Sequence, residues 1–172
     1  PIDLFVASSL ESKGLQMQKP ADKQILLRRV FLDLVGIPPS PMELDKFIAD
    51  QSPDAYEKVV EALLLDPRHG ERWARHWMDI WRYADWHGRR SVPDVWNSAP
   101  QIWRWRDWIV ESLNTNKGYD RMIHEMLAGD EFYPDDQGSA HATGYLVRNW
   151  YALNPNDWMR SIVEHTGKAF LG

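Results

Sequence analysis

Tyr56, Val59, Val60, Leu63 and Leu64 fall at i, i+3, i+4, i+7 and i+8, one face of an α-helix. Leu27, Val30, Phe31 and Leu34 repeat that spacing upstream. No stretch alternates apolar and polar residues over a strand's length, and β-branched residues are sparse. The pattern predicts an all-α fold class, an irregular multi-helix bundle forming a single domain over residues 1–172.

Punctuation supports the periodicity. Ser40-Pro41-Met42-Glu43 has the form of a capping box, with Ser as N-cap, Pro at the first helical position and Glu three residues on. Leu44, Phe47 and Ile48 then supply an apolar face. Ser52-Pro53 and Asn154-Pro155 read as two more cap-plus-proline starts. Gly36 is placed to end the helix carrying Phe31 in a left-handed cap. Further helices are expected at about 100–115, 119–128 and 155–170. Two long loops, Trp86 to Ala99 and Gly129 to Ala140, exceed ordinary helix connections and draw attention as functional segments.

Composition narrows the function. There is no cysteine, so disulfides, cysteine zinc sites and thiol nucleophiles are excluded. The net charge of −5 argues against general nucleic-acid binding. No apolar run reaches the length of a membrane span. Ten Trp among 172 residues is a heavy load of the largest side chain. The chain opens at Pro1 and closes on Ala169-Phe170-Leu171-Gly172, which reads as a domain excised from a longer protein. Its lack of a leader then carries no information about export.

The segment Glu71 to Asp85 reads as a helix with Trp73, His76, Trp77, Ile80 and Ala84 on one face. The expected core includes Trp73, Trp77, Ile80, Leu63 and Phe31. His76 on that face is either a hydrogen-bonded core histidine or an iron or zinc ligand. His165 shares a face with Trp158, Ile162 and Ala169 and stands the same way. A shared ion between His76 and His87 is excluded on a continuous helix, where they lie about 16 Å apart. Asp79 has ion-pair spacing to Arg75 and Arg82 and is read as a packing residue. Asp130, Glu131, Asp135 and Asp136 read as a solvated acidic loop without calcium-loop spacing. Trp103-Arg104-Trp105-Arg106-Asp107-Trp108 interleaves aromatics and guanidinium groups: internal Arg–Trp stacking, or a platform for sugars or a partner. Trp86, His87, Trp103, Arg104 and Arg106 are the candidate binding residues. There is no P-loop, dinucleotide glycine motif, nucleophile elbow or His-Glu-x-x-His.

Several ordered blocks carry a resemblance. Leu27-Arg28-Arg29-Val30-Phe31-Leu32-Asp33-Leu34-Val35-Gly36-Ile37-Pro38-Pro39, then Gly70-Glu71-Arg72-Trp73-Ala74-Arg75-His76-Trp77-Met78-Asp79, Tyr119-Asp120-Arg121 and Glu164-His165-Thr166-Gly167-Lys168 resemble a planctomycete-type cytochrome c domain family of mostly unknown function. The resemblance covers essentially the whole chain. It implies a longer, exported or periplasmic protein in which a haem-attachment motif follows the last of these blocks. No haem is expected on this segment itself, which lacks the attaching cysteines; His76 or His165 would be an axial ligand only in the extended protein. The implied role is support of electron transfer, with other domains of the parent protein as partners. The alternative is a Trp-rich module binding polysaccharide or a partner domain. A hydrolase built on Asp79, Asp85 and His87 has the least support.

Overall fold

A computed structural model describes residues 2–85, 101–147 and 155–172. The described residues contain helices and no strands, the all-α fold that the periodicities predict. In order they are α1 (Ile2–Glu11), α2 (Lys23–Leu34), α3 (Pro41–Ala49), α4 (Ala55–Leu64), α5 (Pro67–Ile80), α6 (Trp103–Asn114), α7 (Tyr119–Phe132), α8 (Gln137–Ala142), α9 (Gly144–Val147) and α10 (Pro155–Phe170).

Local chemistry sets most helix ends. At α3, Ser40 Oγ accepts from the Glu43 N–H at 3.3 Å and Glu43 Oε2 accepts from the Ser40 N–H at 2.7 Å, completing the predicted capping box. Gly36 ends α2 at φ +78°, where its N–H and that of Val35 both reach the Phe31 carbonyl. Asp66 caps α5 by accepting from the Arg68 N–H at 2.9 Å, with Pro67 at the first position. Ser52, however, caps nothing. Its N–H and hydroxyl both bind Asp50 Oδ1, and α4 starts three residues later at Ala55. Asn154 lies outside the described residues.

The apolar faces gather into two cores. Leu27, Val30, Phe31, Val35, Phe47, Ala55 and Leu63 join α2, α3 and α4. Ala74, Trp81, Ile102, Trp105, Trp108, Ile109, Met122, Met126, Ala142 and Tyr145 form the second core, on α5 to α9 and the turns beside α5 and α6. Burying each large side chain contributes about 1.5–3 kcal/mol. The two cores meet at the start of α5, where His69 Nδ1–H donates to the Leu34 carbonyl at 3.1 Å.

Three expectations are corrected. First, α5 stops at Ile80 instead of running on to Asp85, because Arg82 turns the chain at φ 61°. Its buried positions are Gly70, Ala74 and, just beyond its end, Trp81. Ile80 is 49% exposed and His76 is exposed, so neither belongs to the core; Trp73 and Trp77 are half-buried, while Leu63 and Phe31 are buried as expected. Second, the segment from Gly129 to Ala140 is mostly helix, with only residues 133–136 connecting α7 to α8. The backbone does break where α7 was expected to end, at Ala128 (φ −156°, ψ 37°), but helix resumes at once. Packing explains the recovery: a Cβ on Gly129 would stand 2.5 Å from the Ser139 carbonyl, so only glycine lets α7 lie this close to α8. Third, Asp79 is exposed and forms no ion pair among the described residues.

Candidate functional site

Helix α6 arranges the Trp-Arg repeat. Trp105, Trp108, Ile109 and Ser112 form its buried face, leaving Trp103 45% exposed and Arg104 exposed. The three tryptophans therefore make no coplanar exposed row for stacking on sugars. Trp108 instead donates through Nε1 to Glu125 Oε2 at 2.9 Å. Glu125 is fully buried on α7 between Met122 and Met126, and it also accepts from Lys117 Nζ and Arg121 Nε, each at 2.6 Å. Burial pushes its carboxyl pKa up, but these hydrogen bonds outweigh burial and hold it below the ordinary glutamate value. A buried carboxylate with three donors is a fastening for α6 and α7.

Around Trp105 the aromatic rings come into a run. Tyr83 lies 5.6 Å from Trp105 between ring centroids, Trp105 6.0 Å from Tyr145, and Tyr145 5.4 Å from Phe170 near the end of α10. These spacings suit edge-to-face and tilted aromatic packing. A second group stacks Trp77 on Trp81 at 5.0 Å and sets Tyr119 5.3 Å from Trp77. At the outer end of the run, the Tyr83 hydroxyl donates to Asp85 Oδ1 at 2.6 Å. Burial first, and this hydrogen bond second, raise the Tyr83 phenol above its ordinary value. Burial likewise raises Tyr145, whose hydroxyl reaches Thr166 Oγ1 at 3.5 Å.

Beside the run lies a small cleft of about 190 Å³ between α6 and α8–α9, with Gln101, Arg104, Trp105 and His141 in its wall. Arg104 Nη1 donates to His141 Nε2 at 3.2 Å, which puts the imidazole proton on Nδ1. The Arg104 guanidinium also sits 5.3 Å from the Trp103 ring centroid.

The other anticipated residues scatter. Arg106 pairs with Asp107 at 2.9 Å and approaches Asp85 at 3.8 Å. His76 stands exposed on α5, edge-on to Trp73 at 5.3 Å. His165 is half-buried on α10 and has a partner within the fold. Trp86 and His87 lie outside the described residues, as does the side chain of Trp158. Asp136, read as part of an acidic loop, caps α8 by accepting from the Gly138 N–H and the Ser139 hydroxyl. Among the described residues no group of three His, Cys, Asp or Glu could hold a metal ion. Among the described residues the grooves at α5–α6, α2–α3–α4 and α6–α8 are lined by neither His76 nor His165.

Glu125 and His141 escaped the sequence reading. Glu125 had a signal, because a glutamate between Met122 and Met126 and four residues after Arg121 breaks an apolar stripe at ion-pair spacing. His141 had none.

Fold and site together define a helical module with an aromatic core and no declared catalytic centre among its described residues. The chain matches the PSCyt2 family, described as a protein of unknown function (DUF1549), over residues 1–172, and it belongs to that family. No curated protein and no solved structure matches it. Among the described residues no helix is long and apolar enough to cross a membrane.

Proposed function

We propose that this chain is a helical module that supports electron transfer in a longer, exported redox protein. The observation that carries the reading is the run Tyr83–Trp105–Tyr145–Phe170, four rings in successive contact across the second core. Indole and phenol rings hold the most readily removed π electrons among side chains, and rings in successive contact offer them a path through side chains. The family's cytochrome-like name and the sequence resemblance support the same reading. In it, a c-type haem supplies the redox chemistry from elsewhere in the protein. This chain's residues hold the rings rigid, keep water out, and keep a carboxylate, Asp85, on the Tyr83 proton.

The test is a version extended past Gly172, produced under haem-loading conditions. Its visible spectrum should show the bands of reduced c-type haem after dithionite. Trp105→Phe should slow reduction by a small soluble donor while leaving those bands in place. Absent bands remove the redox reading; unchanged rates remove the aromatic run from it.

A further inference from the structure

The cleft at Arg104 is a place where the fold leaves a cation facing a base. Arg68, Arg106 and Arg121 each meet a carboxylate within the described residues, at Asp66, Asp107 and Glu125. Arg104, like Arg28, Arg29, Arg72 and Arg75, meets none there. Its contacts are the Trp103 ring, whose centroid lies 5.3 Å from the guanidinium carbon, and His141 Nε2, which accepts its hydrogen bond. Gln101, on the same wall, is held at φ 68°, a left-handed conformation that a glutamine adopts only at a cost and that collects at binding sites.

We propose that Arg104 and His141 form a binding site for a small oxyanion group, a carboxylate or a phosphate. Guanidinium forks match both groups, and the hydrogen bond to His141 holds this one in place in advance. One Arg104 nitrogen stays with His141 while other N–H groups remain for ligand oxygens. The amide of Gln101, on the same wall, adds a neutral donor. The cleft of about 190 Å³ has room for such a group. This site is independent of the electron-transfer reading.

Titration of the intact chain with inorganic phosphate and, separately, acetate tests it, followed through the Trp103 indole and Gln101 amide signals by NMR. Saturable shifts are expected for at least one anion; which one saturates tells a phosphate site from a carboxylate site. Arg104→Gln should weaken binding about tenfold or more, as loss of a charge-assisted hydrogen bond requires. His141→Gln should weaken it less, and Arg104→Lys should fall between wild type and Arg104→Gln. Arg106→Gln, whose arginine already has Asp107, should bind as wild type. Non-saturating shifts for both anions overturn the proposal. So does wild-type affinity in folded Arg104→Gln and His141→Gln, which would leave Arg104 as a clamp holding α8 to α6.

Discussion

Asn114, at the end of α6, closes around Gly70 in the first turns of α5. Its Oδ1 accepts from the Gly70 N–H at 2.9 Å and its Nδ2 donates to the Pro67 carbonyl at 3.0 Å. One side-chain amide thereby satisfies the Gly70 N–H and the Pro67 carbonyl together. The two residues are in such close contact that a Cβ on Gly70 would stand 2.4 Å from Oδ1.

That contact predicts a change of sign. Replacing a helical glycine with alanine normally favours the helix by about 1 kcal/mol. Gly70→Ala should instead destabilise, because the methyl group expels the Asn114 amide. In an Asn114→Ala background the same substitution should become neutral or stabilising. Urea unfolding of the four proteins in the cycle measures it; additive effects would remove the clamp from the account.

Glu125→Gln should lower stability by about 2–3 kcal/mol, under the usual figure for a broken buried ion pair because Lys117 and Arg121 retain access to water. The denaturant midpoint reads it directly.

Acid should act through the same carboxylate. The folded-state pKa of Glu125 lies below its ordinary 4.5, and those of Glu43 and Asp66 are lowered as well. Groups shifted this way stabilise the fold fully above their unfolded values and lose that contribution as pH falls through the folded ones. Unfolding free energy should thus be level near neutrality and decline below about pH 4.5. The decline should be shallower in Glu125→Gln. A wild-type profile flat down to about pH 3 would contradict this.

Trp103 and Trp105, two residues apart, should behave in opposite ways. Trp105 is 1% exposed, and Trp105→Ala should cost about 3–5 kcal/mol through the cavity it opens. Trp103 is 45% exposed, and its truncation should stay within about 0.5 kcal/mol. Thermal unfolding of the two variants separates them.

What the sequence by itself determined is the local part: helix as the only regular element among the described residues, the Ser40–Glu43 capping box, the Gly36 stop and the α4 stripe apart from Leu64, which is exposed. Each rests on residues within one short segment of chain, so chain neighbours suffice to fix it. The rotational setting of α5 needed the tertiary structure. Trp73, Trp77, Met78, Ile80 and Trp81 surround that segment with apolar side chains, so any of several faces could pack inward. Close contact with α6 at Gly70 and Ala74 selected the one that buries Trp81 and turns His76 and Ile80 outward. The candidate sites followed the same rule. Trp108 with Glu125, and Arg104 with His141, lie 17 and 37 residues apart, and only the packing of α6 against α7 and α8 brings them within hydrogen-bonding reach.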